Sequence, residues 1–152
     1  FPVPIVEMEV SFEPSSQTFQ LGDVTVTSFP LFHPQGGLGY RFDWDGESIV
    51  VATDHEAGTE ADAILIEKSD GADILVHDAQ YLPSEIEAKK GWGHSTWEQA
   101  TKIATEAGVG HLLFASHDPS RTDDEVDDLV ALASERFTFT SAAAPRERFH
   151  PR

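Results

Sequence analysis

Cysteine is absent from this chain of 152 residues, which excludes a disulfide framework and any thiolate metal site. A reducing compartment is compatible with that absence, and the cytoplasm is the expected location. Long apolar runs are missing too. No stretch approaches the roughly 18 residues that a membrane-spanning helix needs, and no leader of the signal-peptide kind is expected. Basic residues are scarce, 10 against 27 acidic ones, for a formal charge of −17. A surface of that sign repels polyanions at long range, so nucleic acid is not an expected partner. Hydrophobic residues make up 39% of the chain, and they recur periodically between turn signals, which argues for a folded core rather than acidic disorder. The length predicts one domain.

What is present reads first as strands, then as helices and strands in alternation. Met8, Val10 and Phe12 predict a strand by their alternation, and Gly22-Asp23 predicts a turn before a second strand over residues 24–29. Tyr40, Phe42 and Trp44 alternate with polar residues up to Asp45-Gly46, the pair that favours a hairpin, and the return strand covers residues 48–52. Further on, the pattern predicts a helix over 61–68 and a buried strand over 74–76 that ends at His77 and Asp78. Ser95 with Glu98 predicts a capping box for a helix that Gly108 stops. A strand over 112–115 then ends at Ser116-His117, and Thr122 with Glu125 opens a last helix with Val126, Leu129, Val130 and Ala133 inward. The domain is expected to cover residues 1–136, with 137–152 as an irregular tail. The order predicts an α+β fold, a sheet with helices packed on one face.

Three segments deliver a ligand-type side chain just past an apolar strand: His33 after residues 24–32, Asp54 after 49–52, and His117 after 112–115. Strand ends present side chains into a cleft without disturbing the core. Two imidazoles and a carboxylate suit Zn²⁺, Mn²⁺ or Fe. On spacing alone other trios are open, since there are seven histidines and many carboxylates to choose from.

The stretch FHPQGGLGYRFDWDGESIVVATDHE resembles the metallo-β-lactamase superfamily, in the branch of cyclic-phosphate phosphodiesterases and transfer-RNA 3′-processing endonucleases. The segments HDAQY, GWGHST and HDPSR follow in the order of the same branch, so the resemblance covers about residues 24 to 132. It implies an αββα hydrolase with two divalent metal ions, zinc or manganese. His33 would be a ligand, Asp54 the carboxylate bridging both ions, and His117 the last ligand. His94 would act in catalysis near the leaving group, with Asp78 orienting it or a neighbouring loop. The family's H-x-H-x-D-H signature does not occur in the sequence. The expectation is therefore that the chain is the second αβ half of the fold, lacking an N-terminal half upstream of Phe1. Alone it should be inactive, and it should associate with a complementary chain or as a homo-oligomer. His55 stands where the family pattern expects a small or neutral polar residue.

The resemblance implies hydrolysis of a small or cyclic phosphodiester. A lactonase or thioesterase on the same scaffold is the alternative within enzymes, and a non-catalytic half-domain that binds a partner is the alternative outside them. Each singled-out residue also has an ordinary structural role open to it. His33, Asp54, His94 and His117 sit where loop or cap residues belong. Arg121 suits either a phosphate or a surface ion pair, and His77 either packs or faces solvent. Trp44, Trp92 and Trp97 read as core or rim aromatics.

Overall fold

Alternating apolar residues separated by tight turns make the first part of the chain a meander. In the computed structural model, which describes residues 17–144, its strands are β1 (Thr18–Leu21), β2 (Val24–Leu31), β3 (Gly37–Trp44) and β4 (Glu47–Ala52). Each pairs antiparallel with the next. The expected hairpin at Asp45-Gly46 is present, with φ of 47° and 81° at the two turn residues. The strand expected around Met8, Val10 and Phe12 lies outside the described residues.

After β4 the chain alternates. Helix α1 (Ala61–Ser69), strand β5 (Ile74–Asp78), short helix α2 (Ile86–Lys89), helix α3 (Trp97–Ala107), strand β6 (His111–Ala115), helix α4 (Asp123–Ser134) and strand β7 (Thr140–Ala142) follow in order. Strands β4 to β7 run parallel, and the seven strands lie in one sheet in sequence order. Each parallel step moves the same way along the sheet. Crossovers of one hand therefore leave their helices on one face, where α1 packs on α3 and α3 on α4.

Register explains the core. Val50, Leu75 and Leu112 stand side by side on the helix face, and Ala52, His77 and Phe114 form the next row. Against them pack Leu65 of α1, Ala100, Ile103 and Ala104 of α3, and Leu129 of α4, all buried. The opposite face carries Val24, Phe42, Trp44, Ile49 and Val51, which line an apolar hollow.

Two local expectations change. The capping box of α3 is formed by Thr96 and Gln99, not by Ser95 and Glu98. Ser95 is fully buried, and its hydroxyl is engaged elsewhere: it donates to the His55 carbonyl and accepts from the Ala57 amide. Glu98 pairs with Arg136 instead, at 2.6 Å. The stretch after residue 137, expected to be irregular, adds β7 beside β6. Its short length and lack of alternation hid it.

His77 settles into the core. Its Nδ1–H donates to the Asp78 carbonyl at 2.7 Å, while Nε2 is buried with no hydrogen-bond partner among the described residues. Burial is the main reason its pKa falls from 6.5 to about 4. The unfolded chain thus takes up this proton before the folded one does. The stabilisation is complete above pH 6.5 and is lost as pH falls toward 4, on the order of 3 kcal/mol in all. Urea unfolding of the protein and of His77→Gln, followed from pH 7.5 to 4, should show a steeper acid loss in the wild type. Parallel pH profiles would show that His77 does not contribute this loss.

Candidate active site

The site follows from strand direction. Strands β2 and β4 both run antiparallel to β3 and so point the same way, and β5 and β6 run parallel to β4. All four C-terminal ends consequently meet at one edge of the sheet. They bring there His33 after β2, Asp54 after β4, Asp78 at the end of β5 and His117 after β6. The edge is laced by backbone and side-chain bonds: Ser116 Oγ donates to the Thr53 carbonyl at 2.5 Å, and the Ala79 amide to the Ala115 carbonyl at 3.0 Å. A Cβ on Gly37 would lie 3.3 Å from the Asp54 carbonyl and 3.4 Å from His33 Cβ, so β3 begins wedged between those two residues.

At its centre is a carboxylate–imidazole pair. Asp78 is fully buried, and its Oδ2 accepts from His94 Nδ1 at 2.6 Å. Its Oδ1 accepts the Ser95 amide at 2.9 Å and the Gln80 amide at 3.1 Å. Burial pushes the Asp78 carboxyl up, against the pull of these bonds. The bond to Asp78 raises the pKa of His94 above its ordinary value. With Nδ1 committed, His94 has Nε2 left for chemistry. Ligand atoms of Asp54, Asp78 and His94 lie within 4.8 Å of one another, the one such cluster among the described residues.

Neither His33 nor His117 is part of this cluster. The His33 ring meets the His94 ring edge-on, with centroids 5.7 Å apart. Both nitrogens of His117 are buried and lack a hydrogen-bond partner among the described residues. Burial, and then the nearby Arg121, lower its pKa, which favours the neutral ring that a metal ion requires. Arg121 itself donates to Glu85 at 2.9 Å and to the Gln80 carbonyl at 3.2 Å. It braces the 80–85 loop while lining the same hollow as His117.

Sequence reasoning missed the residue that holds the His94 loop. Glu56 is buried, and its two carboxylate oxygens accept the Gly91 amide at 2.8 Å and the Gly93 amide at 2.9 Å. Gly93 has φ of 91°, and a Cβ there would overlap the His33 ring and Pro34. The Gly-x-Gly spacing before His94 was the available signal, since such a turn exposes amides that need an acceptor. His55, whose role the family pattern left open, proves structural. Its Nδ1 accepts the Phe32 amide at 3.2 Å and its Nε2–H donates to Asp62 at 2.9 Å, tying the His33 loop to the end of β4.

The sequence profile of the beta-lactamase superfamily domain matches residues 2–117. The chain is 37% identical over 102 residues to ribonuclease Z of Brevibacillus brevis, covering 64% of this chain and 31% of the relative. It is 32% identical over 108 residues to ribonuclease Z of Lactococcus lactis, covering 71% and 33%. Thus it spans about a third of the length of the curated relatives it matches. Its fold resembles that of the metallo-beta-lactamase fold protein YhfI from Bacillus subtilis, at a TM-score of 0.69 and 23% identity over 88% of this chain and 52% of the other. It also resembles human tRNase Z, short form, at a TM-score of 0.63 and 19% identity over 84% and 44%. These relatives overturn the expectation, drawn from net charge, that nucleic acid is not a partner. Net charge governs the field far from the surface, while a cleft is ruled by its own charges.

Replacing Glu56 by Ala leaves the buried Gly93 amide without its acceptor, at a cost of about 1–3 kcal/mol, and releases the more exposed Gly91 amide as well. The Gly91 and Gly93 amides should then exchange with deuterium much faster, alongside a lower melting temperature. Unchanged exchange at both would show that the clamp does not hold the loop.

Proposed function

Because the chain belongs to the metallo-β-lactamase superfamily, we propose that the protein is a metal-dependent hydrolase of phosphodiester bonds, with RNA-type diesters in its substrate range. One observation carries this reading: His94 is fixed through Nδ1 by the buried Asp78, 2.6 Å away, beside the Asp54 carboxylate. That is the arrangement of a general acid, and hydrolysis of a phosphodiester with an alkoxide leaving group needs one. The similarity to ribonuclease Z proteins supports RNA-type diesters as the substrate class.

The residues present fit divalent cations. The unpartnered nitrogens of His117 are the donors such an ion takes, and His33 and Asp54 complete an imidazole–carboxylate set. We assign His33, Asp54 and His117 as the residues that would hold two divalent cations, zinc or manganese. Bound there, the cations supply Lewis acidity at the phosphoryl group and lower the pKa of an attacking water. The chain's own groups do the rest. His94 Nε2 donates its proton to the departing oxygen. Asp78 keeps the ring in the donating orientation and stabilises its charge. Glu56 holds the loop on which His94 stands, and His55 holds the loop of His33.

Two substitutions in the full, metal-loaded protein test these roles. Asp54→Ala should markedly lower the bound metal measured by elemental analysis, and unchanged two-metal occupancy would overturn its place in that set. His94→Ala should keep the metal yet lose on the order of 10²–10⁴ in turnover of a ribonucleotide diester. Metal lost together with His94 would make it a ligand, as its closeness to Asp54 and Asp78 allows. Turnover within a few-fold of wild type would reduce it to a structural residue.

A further inference from the structure

Beside the His94–Asp78 pair stands an aromatic that the proposed chemistry does not use. Trp92 is 57% exposed, although burying a large aromatic is among the strongest driving forces a chain has. It is also held in place. The amides on either side of it, Gly91 and Gly93, both bond the buried Glu56 carboxylate, and its own amide bonds the Lys89 carbonyl at 3.1 Å. The Lys89 ammonium lies 4.0 Å from the centroid of the Trp92 ring and 5.5 Å from that of Tyr81. Tyr81 is buried and meets the His94 ring edge-on at 5.9 Å. His94, Tyr81, Lys89 and Trp92 therefore form one continuous wall, with its catalytic end at His94 and its exposed aromatic end at Trp92.

Resting on the phosphodiesterase reading above, we propose that Trp92 is the stacking platform for a nucleobase on the leaving-group side of the scissile bond. Three features converge on this. The ring is linked through Lys89 and Tyr81 to His94, the group placed to protonate the leaving oxygen, so a base stacked on it would lie on the departing side of the substrate. A clamped, exposed indole offers a flat apolar surface with little entropy left to lose on binding. Lys89, a positioning residue, fixes the indole by its cation–π contact and sets a positive charge beside the path of the phosphate backbone. In a chain with 27 acidic and 10 basic residues, a cation at this spot offsets the repulsion that an RNA strand would meet.

The test compares two diesters in the full, zinc-loaded protein. One is a ribodinucleotide, and the other is the same molecule without the base on its leaving side. Trp92→Ala should raise KM for the dinucleotide roughly tenfold or more, the size of one lost base stack, with a clearly smaller effect on the abasic substrate. Trp92→Phe should retain most of the affinity. A second measurement needs no turnover: adenosine 5′-monophosphate should quench tryptophan fluorescence in the wild type and not in Trp92→Phe, while ribose 5-phosphate quenches neither. Hydrolysis of both diesters with equal Trp92→Ala effects and no Trp92-dependent quenching would overturn the platform and leave the phosphodiesterase reading standing. Quenching without hydrolysis of either diester would do the reverse.

Discussion

Four strands that point in one direction are the constraint on which the rest of this structure depends. A residue placed just past the C-terminal end of β2, β4, β5 or β6 has no choice but to arrive at the same edge of the sheet. The direction is set cheaply. Two tight turns reverse the chain twice between β2 and β4, and each helical crossover returns it parallel to where it left. His33, Asp54, Asp78 and His117, spread over 85 positions of sequence, become neighbours through topology alone.

Bringing polar groups to an edge does not by itself orient them, and here a buried hydrogen-bond network does so. Asp78, Glu56, Ser95 and His55 are all buried, and their side chains bond mainly to backbone groups of other segments. Buried carboxylates are costly unless satisfied, and each of these two has its oxygens engaged by backbone amides or the His94 ring. The network thus converts the desolvation penalty into rigidity of two loops, one bearing His33 and one bearing His94. The same clamp leaves Trp92 exposed at the tip of its loop, because both neighbouring residues are held inward.

Much of this was legible in the chain. The strand ends with polar residues, the Asp-Gly hairpin, the Thr122 capping box and the Gly108 helix stop all rest on local chemistry, and all occur in the structure. Errors arose where local signals had competing long-range partners. Ser95 has the chemistry of a helix cap, yet its hydroxyl bonds His55 and Ala57, some 40 positions away, and Thr96 caps instead. Net charge misled in a similar way, as a sum over the whole surface that carries no information about one cleft.

The sequence by itself determined which residues could do chemistry and that they lie at the ends of apolar strands, because periodicity and turn residues act over a few positions. Only the tertiary structure decided which of them meet. Asp78 was expected to orient His94 or a neighbouring loop; the register of β5 and the turn at Gly91–Gly93 set it 2.6 Å from the His94 ring. Glu56 and His55 were invisible as loop anchors, since their partners lie 35 to 37 and 23 residues away and owe their position to loop closure, not to pattern. Hydrogen bonds reach about 3 Å, and distances of that size between remote segments are set by packing the whole domain.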